Sequence, residues 1–181
     1  MAVVFSKSVS CSNLNEKSLS NSNPKEILFM HKLSFVFAVF VLLVGSSVAF
    51  GQRSAVMKPI NQFVNGFNKG DMQSAMAACS EATAIIDEFP PHMWSGAGAC
   101  QKWVDSYVAD AEKNGIKDGV VNLGKPSHFE MTADYAYVVI PSNYIYKQKG
   151  KRVAQTGSMF TFSLNKSATG WVITGWSWAT K

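Results

Sequence analysis

The side chain best placed to do chemistry in this sequence is Asp87, in the run ATAIIDEFPP. It interrupts an apolar, strand-like stretch just before a Pro-Pro stop. Burial there would disfavour the charged form and lift the pKa toward that of a useful general base. Two roles stay open for it. One is a base or ligand contact in a pocket; the other is a structural hydrogen bond, or simple solvation, at a strand end. Glu88 lies beside it and, by strand alternation, is expected to face the opposite side. Trp94, Tyr107, Tyr137 and Tyr144 combine an apolar body with a polar tip, the combination that lines a pocket mouth and orients what enters.

Other chemistries find little footing. His92 and His128 are the histidines that follow the N-terminal segment, and no Cys or Glu stands at ligand spacing from them, so a metal is not expected. There is no nucleophile-elbow serine and no Gly-rich phosphate loop, and nothing implies a cofactor. Lys147, Lys149, Lys151 and Arg152 form a basic cluster that reads as a solvated hairpin tip rather than a nucleic-acid footprint. Cys79 and Cys100 are an even pair. In an oxidising compartment they either bridge or stay as two buried thiols.

The elements that must position these residues come from periodicity. Val56, Met57, Ile60, Phe63, Val64 and Phe67 recur at helical spacing from Ser54 onward. Pro59 is expected only near the start of that helix, which moves the predicted first turn later. Asp71 can cap a short second helix, DMQSAMAAC. Ala82 to Phe89 reads as a strand. A third helix runs from about Gly98 to Lys113, with Trp103, Val104, Tyr107, Val108 and Ala111 on one face, and Asn114-Gly115 ends it.

After that the chain alternates. Val120 to Met131, Tyr135 to Lys147, Val153 to Leu164 and Trp171 to Thr180 are β-branched and aromatic runs separated by short turns. Short connections make antiparallel neighbours, and helices followed by strands indicate α+β. Gly124, Pro126, Pro141 and Gly157 mark bulges or bends. A strongly bent antiparallel sheet around helices makes a cone with an open mouth, and ligands favour such cavities.

The N-terminal part reads differently. Leu33 to Val44 is an apolar run preceded by His31 and Lys32 and followed by Gly45-Ser46-Ser47-Val48-Ala49. That is the layout of a bacterial secretory signal peptide over 30–51. The competing reading is an uncleaved anchor, the one route by which a membrane would be involved. Residues 1–29 are Ser/Asn-rich and aperiodic, and Met30 stands where a start would be expected, so 1–29 read as a mis-assigned start or a disordered leader. Residues 52–181 form the folded domain. Of the formal charge of +5, four lysines and two glutamates lie before residue 52, which leaves +3 for that domain.

Three helices, a short strand after the second and a four-stranded terminal meander resemble the NTF2-like (SnoaL-like, ketosteroid-isomerase-like) superfamily. The segments that carry the likeness are FNKGDMQSAMAAC, ATAIIDEFPP and GWVITGWSWA. The resemblance implies an α+β cone of three helices on a strongly curved antiparallel sheet. In the isomerases of that group a carboxylate moves a proton while a Tyr and a protonated Asp stabilise the enolate. By resemblance Asp87 falls at the base. The oxyanion donors would fall at Phe63, which has no hydroxyl, and at Ser158, a weak donor, so ketosteroid isomerisation is not expected. Both residues are instead expected to line the cone.

Two functions follow as expectations. The first is an exported domain that holds a small apolar molecule, with proton-transfer chemistry of isomerase or lyase type at Asp87 if there is any. The second is a non-catalytic module whose open sheet face packs against a copy of itself or another protein. Under either function the resemblance implies a homodimer through the sheet, and Trp171, Trp176, Trp178, Phe160 and Phe162 read as core or dimer face.

Overall fold

In the computed structural model the described residues are 51–180. The readings of 1–29 as a leader and 30–51 as a signal fall, except for Gly51, outside them. Helix α1 covers 51–69 of the described chain, α2 is Met72–Met76 and α3 is Ala99–Asn114. The strands are β1 Cys79–Ile86, β2 Met93–Trp94, β3 Ile116–Leu123, β4 His128–Met131, β5 Tyr135–Gln148, β6 Lys151–Ser167 and β7 Gly170–Ala179. Among the described residues no helix is long and apolar enough to cross a membrane.

Val56, Ile60, Phe63, Val64 and Phe67 form the buried stripe of α1, as the spacing predicts. Pro59 departs from expectation. The helix already runs from 51 and carries Pro59 in its interior, on the buried side. Gly70, at φ 72°, ends the helix, and Asp71 caps α2 by accepting from the Ser74 N–H at 3.0 Å. α2 is shorter than predicted, because residues 77–78 turn and Cys79 already belongs to β1. Gly66 lets α1 and α2 touch: a Cβ there would stand 2.6 Å from the Ala75 nitrogen. α3 is bracketed by two left-handed glycines, Gly98 and Gly115.

The sheet order is β2-β1-β7-β6-β5-β3, with β4 also paired to β5. The β3 to β7 meander is antiparallel, and β1 joins β7 in parallel, so the sheet is mixed. The single strand predicted over 120–131 is two, because regular pairing with β5 is interrupted over residues 124–127, where Gly124 and Ser127 keep single backbone bonds to Pro141 and Val139. Alternation along β5 and β6 buries Val138, Ile140, Phe160, Phe162 and Leu164 against the helices.

Two irregularities bend this sheet. Between Ser142 and Tyr144 on β5, β6 spends three residues, Ser158 to Gln155, against two. Gly157 takes up the extra residue at φ 76°, its N–H donating to Asn143 Oδ1 at 3.1 Å. The inward-facing positions of β6 thereby change parity, so that Gln155 rather than its even-numbered neighbours looks inward. A second bulge lies at Thr174, where Ser163 pairs with Gly175 but Leu164 with Ile173. It puts Ile173, Trp176 and Trp178 all on the buried face.

Cys79 and Cys100 are joined by a disulfide that ties the start of β1 to the first turn of α3. On the far side Asn68, near the end of α1, serves the edge strand β3 as a neighbouring strand would. Its Nδ2 donates to the Val121 carbonyl at 2.8 Å, and its Oδ1 accepts from the Val121 N–H at 2.7 Å.

Candidate functional site

The helices and the bent sheet enclose a cavity of about 110 Å³, partly open to solvent. α1 contributes Phe63 and Phe67, α3 contributes Trp103 and Tyr107, and the sheet supplies Tyr144, Phe160, Trp176 and Trp178. Most of the wall is aromatic. Trp103 stacks on Tyr107 with centroids 5.6 Å apart, and Trp176 meets Trp103 edge-on at 4.9 Å. The volume suits one small ring or a branched head group. It lies well below the roughly 300–1,000 Å³ of drug-sized sites.

Asp87 sits one residue past β1, where the chain turns away from the ladder. Its Oδ2 accepts from the indole N–H of Trp103 at 2.9 Å, and its Oδ1 accepts from the Glu88 N–H at 2.7 Å. Burial pushes its pKa up to about 6. The two hydrogen bonds restrain that rise, and the Glu88 carboxylate adds slightly to it. Asp87 is thus hydrogen-bonded and at the same time lines the cavity.

Glu88 does not take the opposite side. The strand has ended at Ile86, so alternation no longer applies, and Glu88 also reaches the cavity rim. There it accepts from Gln155 Nε2 at 2.7 Å and from the Thr180 hydroxyl. A carboxylate can only accept, which fixes the amide of Gln155 with its nitrogen toward Glu88.

Across the cavity the Tyr107 and Tyr144 hydroxyls meet at 2.8 Å. Burial raises the pKa of both phenols, so both stay protonated at neutral pH. In such a pair one hydroxyl donates to the other, and one O–H remains free to donate onward. The pair depends on Gly119 of β3. A Cβ there would stand 2.5 Å from the Tyr144 hydroxyl and 3.1 Å from that of Tyr107. Glycine in a strand marks a close approach of this kind, but nothing in the sequence says which atom approaches.

Of the residues expected in the site, Asp87, Phe63, Tyr107 and Tyr144 come together around the cavity. Trp94 and Ser158 do not line it. Trp94 lies behind Phe89, at 5.1 Å between centroids, and its indole N–H donates to Ser106 Oγ at 3.1 Å. Ser158 lies on the far side of the Gly157 bulge, fully buried in the core. Tyr137 is exposed on the outer face of the sheet. Trp103, Gln155 and Gly119 are site residues that sequence reasoning did not single out. Trp176 and Trp178 are 4% and 8% exposed and line the cavity, so they are unavailable as a dimer face. Among the described residues no three His, Cys, Asp or Glu side chains converge to hold a metal ion.

No protein-family model matches the sequence, and no curated protein matches it. Solved structures do resemble the fold. An NTF2-like protein with a cystatin-like fold from Novosphingobium aromaticivorans superposes with a TM-score of 0.61 at 14% identity, over 76% of this chain and 87% of that one. An NTF2-like superfamily protein from Salmonella enterica gives 0.61 at 13% identity, over 73% and 92%. A ketosteroid isomerase-like protein from Erwinia carotovora gives 0.56 at 17% identity, over 70% and 94%. The described domain has the NTF2-like fold, an α+β cone, and at these identities the likeness speaks for fold alone.

Proposed function

We propose that this chain, built on the NTF2-like fold, is an exported protein whose cone binds a small, largely apolar molecule. The observation that carries the reading is the aromatic cavity with Asp87 in its wall and the Tyr107–Tyr144 hydroxyls across from it. A perturbed carboxylate in a concave apolar site is the usual mark of a functional pocket. Export is supported by the signal-like segment 30–51 and by the Cys79–Cys100 bridge, which belongs in an oxidising compartment.

If chemistry follows binding, Asp87 is its base. It would take a proton from a ligand carbon and return it elsewhere, an isomerase- or lyase-type step. The free phenol O–H of the tyrosine pair would stabilise the oxyanion in place of the donor missing at Phe63. A homodimer through the outer sheet face is a second element of the proposal. It is favoured by Ile86 and Met93, which are 56% and 61% exposed side by side at the β1–β2 edge.

Native mass spectrometry of protein recovered from the periplasm of an expressing cell tests these points together. The expected species lacks residues before about 52, has lost two hydrogens at the cysteines, and carries a small adduct that Asp87→Asn weakens. An intact N-terminus would overturn export. An empty cavity, together with no saturable binding of any small aromatic probe, would overturn the ligand reading.

A further inference from the structure

Ten of the described residues that line the cavity are aromatic, three carry carboxylates and none is Lys, Arg or His. The carboxylates are Asp87, Glu88 and Asp110. This acidity is local, since the chain as a whole is basic at +5. The ion pairs among the described residues, His128–Glu130 and Lys147–Asp118, are exposed and involve none of the three. Asp87 therefore stands in an aromatic chamber with two hydrogen bonds but no counter-charge in its wall. A mostly buried carboxylate in that position is electrostatically incomplete.

Three classes of occupant can be compared. An anion would face three carboxylates and no base. A neutral molecule would fill the volume but leave the Asp87 charge uncompensated. A cation gains twice, from the carboxylate and from the negative faces of the indole, phenol and phenyl rings, which attract ammonium groups within about 6 Å of their centroids. The volume of about 110 Å³ limits that cation to a compact head.

We propose that the cavity is a site for a small organic cation, with an alkylammonium head boxed by aromatic faces and Asp87 as its counter-ion. The proposal rests on the reading of the cavity as a ligand site and names the class of ligand. The groups that bear on Asp87 are Glu88 beside it, His92 across the turn, Tyr107 and Asp110 on α3, and Tyr144 on β5. Of these His92 is the one basic side chain; it is exposed, and its ring Nδ1 lies 3.2 Å from the Asp87 carbonyl oxygen.

The test is calorimetric titration of the full chain at low salt with two probes of equal shape. These are choline and its uncharged carbon isostere 3,3-dimethylbutan-1-ol. Choline is expected to bind at least about tenfold more tightly, a difference of about 1.4 kcal/mol. Asp87→Asn should erase that preference while leaving the isostere unchanged, and wild-type affinity for choline should fall as the pH drops below about 6. Equal or tighter binding of the isostere would overturn the cation inference and leave the cavity a ligand site. Failure of both probes would overturn it as well, and the adduct search by native mass spectrometry would then decide whether the cavity reading falls with it.

Discussion

Replacing Asp87 by Asn should change the stability of this domain in a pH-dependent way whose sign follows from the geometry. An aspartate in an unfolded chain titrates near 3.9, whereas burial holds Asp87 at about 6 in the fold. The folded state therefore binds this proton more tightly than the unfolded state. The contribution is fully present below about pH 4 and is lost as pH rises through 6. A gap of about two pKa units at 1.36 kcal/mol each amounts to roughly 3 kcal/mol. Asn carries no charge at any pH and so has no such slope. It has one acceptor oxygen where Asp87 uses two, toward Trp103 and Glu88, and the lost bond costs about 1 kcal/mol. The variant should be slightly less stable than wild type at pH 4 and about 2 kcal/mol more stable at pH 7.5. For a domain of this size that is an increase of about 8 °C in Tm at pH 7.5. Thermal melts of both proteins from pH 4 to 8 measure it, and the difference between the two curves cancels the titrating groups that do not interact with Asp87. A difference that stays constant across the range would refute the reasoning, because it would mean that the Asp87 carboxylate is as well solvated in the fold as out of it.

Two further perturbations test the scaffold around the site. Gly119→Ala drives a methyl group into the Tyr107–Tyr144 hydroxyl pair; a loss of about 1–3 kcal/mol is expected, together with a shift in tyrosine absorbance as the hydrogen bond opens. Reduction of Cys79–Cys100, which closes a loop of 21 residues' separation, should cost about 3 kcal/mol; melts with and without dithiothreitol at matched pH should differ by about 12 °C, and equal Tm values would mean that the bridge adds nothing to folding.

The elements that local physics decides were legible in the sequence, and those that tertiary closure decides were not. The buried stripe of α1, the glycine-bounded α3 and the strands of the meander follow from spacing and turn chemistry. Pro59 misled because the rule against interior proline is a local rule, whereas the buried face of α1 is held by its packing. β2 is two residues long, too short for any periodicity to announce. Asp87 stood out because a carboxylate in an apolar strand is chemically out of place. Tyr107 and Tyr144 were visible singly but not as a pair, since 37 residues separate them and only the folded sheet brings them together. Ser158, placed in the cone by resemblance, lies in the core instead, while Trp176 and Trp178 are core residues that also line the cavity. A bulge changes which parity faces inward, and neither the extra residue at Gly157 nor the one at Thr174 can be located from alternation alone.

The same construction explains why an unfavourable carboxylate is tolerated where it is. At neutral pH Asp87 works against the fold, and an uncharged isostere in its place would leave the domain more stable. Its surroundings nevertheless hold it in place. The Trp103 indole fixes one oxygen and the Glu88 amide the other, and Trp103 lies three residues after Cys100, on the same side of α3 that the disulfide ties to β1. The covalent bridge thus fixes together the helix that supplies the indole and the strand that delivers the carboxylate. Residues selected for stability alone would not be arranged to preserve a group that lowers it. Strain concentrated on a single carboxylate, and reinforced by its neighbours, is what a site requires when the missing interaction comes from a ligand.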